Sequence, residues 1–179
     1  MRNITRTALA LAGSAALVGV TAMSASAEDT PVTVTVEAGS LAIAVPQAAT
    51  LDTADVAPGA DSTVRLGATT VTDERAGEAG WTVSVNLPDL TDGEVAPKLI
   101  PTNVATYLAD TVVVGDTTGG VTVTASAELT GLDAAAQVSQ TATTVSGNNT
   151  ATWGALLTVP IPAQALADTY TGVLTQSVL

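Results

Sequence analysis

Period-two alternation constrains this chain more than any other feature. In Trp81-Thr82-Val83-Ser84-Val85-Asn86-Leu87 the odd positions are apolar and the even ones polar. That is the signature of a strand covering a core with one face and meeting water with the other. The pattern recurs at Val32, Val34 and Val36 set among Thr33, Thr35 and Glu37, and at Leu41, Ile43 and Val45. It returns from Val121 to Glu128, with Val121, Val123, Ala125 and Ala127 on one side. Further strands are expected near residues 63 to 71 and 111 to 114, and over Thr169 to Val178. Ser146-Gly147-Asn148-Asn149 offers residues that tolerate positive φ between two strand-like runs, so residues 137 to 161 read as a hairpin. Its second arm places Trp153, Ala155, Leu157, Val159 and Ile161 on one face. Pro160 and Pro162 then end that arm, because neither donates to a ladder. Pro162 to Ala167 is the one short stretch that looks helical, a single turn.

Many short alternating strands punctuated by Gly, Pro, Asn and Asp predict an all-β fold. The expected architecture is an antiparallel two-sheet immunoglobulin-like sandwich of about eight or nine strands, with a barrel as the alternative. The least regular parts, residues 46 to 61 and 88 to 110, are expected to be long connections across the ends. With two Trp, two Tyr and no Phe, the core must be built from Val, Leu, Ile and Ala. The β-branched residues among these favour strands.

Residues 1–27 read as an export signal. Arg2 and Arg6 give a positive start, Ala8 to Val20 an apolar stretch, and Ala25-Ser26-Ala27 a small-residue cleavage site. The mature chain is expected to begin at Glu28 and to form one domain over residues 28–179, secreted and extracellular or associated with the cell wall. The apolar stretch is shorter than the roughly 20 residues needed to cross a bilayer, so no transmembrane segment is expected in the mature chain. The whole chain has 5 Lys and Arg against 17 Asp and Glu, a net charge of −12. Loss of Arg2 and Arg6 leaves three basic residues, Arg65, Arg75 and Lys98, against the same 17 acids, or −14. Such a surface repels phosphate backbones, which argues against nucleic acid as a partner. The chain has no Cys and no His. Disulfides, thiolate metal sites and the commonest general base are therefore lost together. No Ser is paired with a base and no Gly-rich loop opens a helix, so the expectation is a non-catalytic protein with no cofactor and no metal.

Val71-Thr72-Asp73-Glu74-Arg75 followed by Gly80-Trp81-Thr82-Val83 resembles the first signature of the WxL family of secreted surface proteins of Gram-positive bacteria. In that family an Asp and an Arg in a turn precede a Gly, and a Trp-x-Leu triplet opens a strand. Here Val83 stands at the Leu position. Pro162 to Ala167 and Asp168-Thr169-Tyr170-Thr171, leading into a last strand, are also similar. Where the family places a second Trp-x-Leu, this chain has Gln176-Ser177-Val178, so the second motif is degenerate. The resemblance implies a β-sandwich that binds the cell wall non-covalently through peptidoglycan and works beside other surface proteins. It thus implies cell-wall glycan or other surface proteins as partners. The alternative is a structural or adhesive surface subunit assembling through sheet edges.

Candidate wall-binding residues are Trp81, Trp153, Asp73 and Arg75. Each Trp leads or continues an apolar strand face, so each ring either closes the end of an aliphatic core or stacks on a sugar. Asp73 and Arg75 are expected to pair and fix the turn that aims Trp81. Gln176 falls on the apolar face with Tyr170, Leu174 and Val178, and is expected near an open end with its amide bonded. Asp89, Asp92 and Glu94 read as a solvated acidic turn, with extracellular Ca²⁺ the weaker reading. Leu87-Pro88-Asp89-Leu90-Thr91 slightly resembles a sortase signal. It lies mid-chain with no apolar tail behind it, which does not support covalent wall attachment.

Overall fold

Alternation becomes a ladder only where a partner edge is available, and one long strand supplies most of the edges in this molecule. A computed structural model describes residues 31–51, 56–113 and 115–179; the expected signal and the start at Glu28 lie outside them. By its own contacts the chain divides into residues 1–34 and residues 35–179. Of the first unit, residues 31–34 are described and form no strand. The second holds all ten described strands. In chain order these are β1 Leu41–Ala44, β2 Asp61–Asp73, β3 Trp81–Asn86, β4 Leu90–Thr91, β5 Leu99–Ile100, β6 Thr106–Ala109, β7 Thr117–Ala125, β8 Leu129–Thr130, β9 Gln137–Pro160 and β10 Thr175–Val178. Every pairing is antiparallel, and the described residues contain no helix. The fold is all-β, with eight strands in one sheet and β4–β5 in a small second one.

The predicted hairpin over residues 137 to 161 is corrected by β9, a single 24-residue strand. On one edge β9 pairs with β3 through residues 137 to 142 and with β2 through residues 149 to 160. On the other it pairs with β7 and then β6. Ala142 is opposite both Trp81 and Val123, and Ala151 opposite both Val71 and Thr117. Thus β2 and β3 lie end to end along one side, with residues 74–80 spanning the gap.

Gly147 does not reverse the chain; it lets the strand turn a corner. Its φ is 68°, and across the ladder Gly119 has a φ of 71° at a register shift between Thr118 and Gly120. A Cβ on Gly119 would lie 2.2 Å from the Asn148 carbonyl oxygen, so only glycine permits the two strands to bend together there. The bend has a direct consequence. Trp81 sits opposite Ala142, eleven residues from Trp153 along β9, and an extended strand would separate those positions by about 36 Å. Their ring centroids are 6.3 Å apart. The two halves of β9 therefore face each other, and β1 and β10 meet at the far side, leaving the large sheet nearly closed upon itself.

The aliphatic interior lies inside this bend. Val71, Val83, Val85, Ala151 and Val159 are fully buried, as the alternation requires, together with Leu132 and Tyr107. Three further expectations need correction. Val32, Val34 and Val36 alternate as a strand does, yet they are 92%, 85% and 76% exposed and join no ladder. Periodicity specifies a face but supplies no partner for the backbone. Residues 111–113 form no strand; β6 lies just before them, inside the region expected to be a bare connection, which also holds β4 and β5. The last strand begins only at Thr175, whereas Pro162 to Ala167 forms the expected single turn, closed by the Ala165 N–H on the Pro162 carbonyl.

Candidate functional site

The loop between β2 and β3 is held at the corner by bonds that each derive from one residue of the Asp-x-Arg…Gly-Trp stretch. Asp73 ends β2 and is 2% exposed. One carboxylate oxygen accepts from the Arg75 backbone N–H at 3.0 Å and from Arg75 Nε at 2.9 Å. The other accepts from Arg75 Nη2 at 2.9 Å and from Asn149 Nδ2 at 3.3 Å. Arg75 Nη2 also donates to the carbonyls of Ala79 and Gly80, at 3.0 and 3.2 Å. One guanidinium thus ties the start of the loop to its end. A bidentate, planar donor suits this task as an ammonium would not. The Arg75 hydrogen bond holds the Asp73 carboxyl below its ordinary value of 3.8; burial opposes the shift, while the Arg75 and Asn149 N–H groups reinforce it.

Asn149 carries the network into the core. Its Oδ1 accepts the Trp81 indole N–H at 3.3 Å, while its Nδ2 bonds Asp73 and the Gly147 carbonyl. The Asn148 side chain accepts the N–H of Ala76, which sits at a φ of 53°, and the Gly147 N–H donates to the Gly77 carbonyl. Gly80 is required because a Cβ there would lie 2.3 Å from the Ala142 carbonyl oxygen. The loop therefore presses on the bent part of β9 at several points. Trp81 and Trp153 are 2% and 4% exposed and stack with planes 16° apart. Such a pair adds about 0.5–1.5 kcal/mol to what the burial itself contributes. Both rings act here as core, and neither presents a face to solvent for a sugar.

The structure thus brings Trp81, Trp153, Asp73 and Arg75 into one unit. Sequence reasoning missed Asn149, assigned to a turn. Its signal was legible: Asn149 continues, two residues earlier, the stripe of Ala151, Trp153, Ala155, Leu157 and Val159. It also missed Tyr107, which is buried beside this pair. Burial pushes the Tyr107 hydroxyl up to about 12, and the Trp153 indole works in the opposite direction. The Tyr107 hydroxyl donates to Gln176 Oε1 at 3.2 Å, and Thr69 Oγ1 reaches the same oxygen at 3.4 Å. The amide at the degenerate second motif is therefore half-buried with its acceptor satisfied.

No family model, curated protein or solved structure matches this chain.

Away from the corner, along β2 and β3, the molecule opens. A cleft of about 680 Å³ runs between residues 45–51 and 168–174, floored by Leu66, Leu87, Leu90 and Leu157. Lys98 bridges Asp168 at 2.6 Å and Asp92 at 3.1 Å, clasping the second wall to β4–β5. The Lys98 ammonium is shifted upward, by Asp168 first and Asp92 second, and Asp168 is lowered by the same bond. Burial would raise Asp92, but the Glu94 and Lys98 N–H groups and the ammonium outweigh it and leave it lowered. Asp89 accepts the Thr102 N–H at 2.9 Å. These turn carboxylates are thus engaged by the chain's own donors, and among the described residues no group of three or more His, Cys, Asp or Glu is placed to hold a metal ion.

Proposed function

We propose that this is a secreted, non-catalytic, WxL-like surface protein of a Gram-positive bacterium that binds cell-wall peptidoglycan non-covalently. The observation that carries this reading is the bonded unit at the corner. Asp73, Arg75, Gly80 and Trp81, on which the family resemblance rests, each have a distinct task in shaping one loop. A chance match of residue types gives no reason for such a division of labour. In the same reading the bent sheet is a two-layer, immunoglobulin-like sandwich whose layers are the halves of β9 with their neighbours. The wall contact then falls to the rim formed by residues 74–80 and Asn148, with Trp81 and Trp153 setting its shape from beneath. Arg75 keeps part of its side chain in solvent. The acidic charge disfavours simple attraction to anionic wall polymers, so the contact relies on hydrogen bonds.

Sedimentation with purified sacculi tests this. The protein is expected to pellet with sacculi and to be released by soluble peptidoglycan fragments; a protein left in the supernatant refutes the reading. A second reading, a subunit assembling through sheet edges, is favoured by the exposed Val stripe at residues 32, 34 and 36.

A further inference from the structure

Residues 31–37, Pro-Val-Thr-Val-Thr-Val-Glu, have the code of a strand, no ladder and three valines in water. An alternating segment of this kind is a strand lacking a sheet. The cleft has the opposite character. Its first wall, residues 45–51, continues from β1 but makes no hydrogen bond to a described residue; its second, residues 168–174, leads into β10. Each wall is seven residues long, and the floor is leucine. Here the nearly closed sheet stands open, its backbone edge at residues 45–51 unpaired among the described residues, above an apolar floor.

We propose that residues 31–37 of one copy insert into this cleft of a second copy as a donor strand. Their backbone would add to the edge at residues 45–51, with Val32, Val34 and Val36 directed to Leu66, Leu87 and Leu157. Charge favours this occupant over a more polar one. Residues 31–36 carry no charge, Glu37 stands at the end of the segment, and Asp168 is the one charged residue among the described residues lining the cleft. The insertion therefore brings few like charges together, where most contacts between two chains of this acidity would bring many. Reach excludes the segment of the same copy. The Gly39 N–H and Ser40 carbonyl are already bonded to Glu74, extending the β1–β2 ladder. A segment reversing before Gly39 would spend its roughly 23 Å alongside β1 and arrive at Val45 with only its first residue.

The proposal rests on the subunit reading and is independent of wall binding. It is tested by complementation with the full chain, read by size-exclusion chromatography with light scattering. One variant carries Val32→Asp, Val34→Asp and Val36→Asp and has no donor; another carries Leu51→Glu and has a blocked acceptor. The unmodified chain is expected to form oligomers that grow with concentration, and each variant to be monomeric. Mixing them is expected to give a one-to-one pair and nothing larger, since one donor and one acceptor remain intact. At concentrations low enough for both to be monomeric, the donor variant is expected to melt with the unmodified chain, as its altered residues are exposed there. Oligomers that persist in the donor variant overturn strand donation while leaving edge assembly by another route. An unmodified chain monomeric at all concentrations overturns both, and a mixture that fails to pair overturns the cleft as acceptor.

Discussion

The corner and the cleft are built from the same sheet and differ in how their backbone is used. At the corner, residues 74–80 and 147–149 exchange main-chain and side-chain bonds, and two indoles fill the space beneath. At the cleft, residues 45–51 leave β1 without a partner among the described residues, and the opposite wall is clasped by one half-buried lysine. Both ends are floored by apolar side chains, so hydrophobicity does not distinguish them. Satisfaction of the backbone does. A bend is stable where every displaced group finds a new partner, and a sheet stays open where none is offered.

Substitutions should separate the two regions in a graded way. Trp81→Ala, at the corner, is expected to cost about 3–5 kcal/mol in urea unfolding, because it removes a buried ring and unstacks Trp153. In the proposed function it also abolishes retention on sacculi; lost retention with unchanged melting would make Trp81 a direct ligand contact instead. Asp73→Ala follows, at about 1–3 kcal/mol, since Arg75 and Asn149 lose their acceptor in a nearly dry site. This loss has a pH signature. The folded Asp73 value lies below the ordinary 3.8, so its stabilisation is fully present above that value and disappears as pH falls through the lower, folded one. Melting curves of Asp73→Ala and the unmodified protein should therefore converge in acid; a gap constant with pH would show that the carboxylate charge contributes nothing.

Gly147→Ala probes the corner alone. Nothing crowds a Cβ there, so its expected cost of about 1–2 kcal/mol is purely that of a left-handed backbone. No loss would mean the strand does not bend at that residue. The cleft should respond less. Leu51→Ala, at a half-buried rim position, is expected to cost roughly 1 kcal/mol or less. Lys98→Ala should have the smallest effect: its pair with Asp168 is partly exposed and is screened in high salt, while the buried Asp92 carboxylate keeps the Glu94 and Lys98 backbone N–H groups as donors. A larger loss from Lys98→Ala than from Asp73→Ala would reverse the comparison.

Much of the fold was legible in the chain. The Trp81 to Leu87 stripe is buried in register, β2 covers residues 63 to 71, and Pro160 ends β9 where its missing donor requires. Asp73 and Arg75 pair as a short-range turn signal suggests. Other features were misread because local signals are ambiguous. Ser146-Gly147-Asn148-Asn149 permits a positive φ, and a positive φ serves a reversal or a corner equally well. Val32, Val34 and Val36 show how a flawless alternation remains unpaired. Tyr107 lies in a stretch rich in Pro and Asp nearby, where β6 forms because β9 offers it an edge.

By itself the sequence determined the class: two-residue periodicity, the lack of Cys and His, the aliphatic core and the acidic surface are properties of residues one or two positions apart, or of composition. Tertiary structure alone decided that β9 is one bent strand, that Trp81 meets Trp153 across it, that Asn149 links Asp73 to an indole, and that the sheet stays open between residues 45–51 and 168–174. Each of these depends on which distant edge meets which backbone, a choice set by long-range pairing that no local pattern encodes.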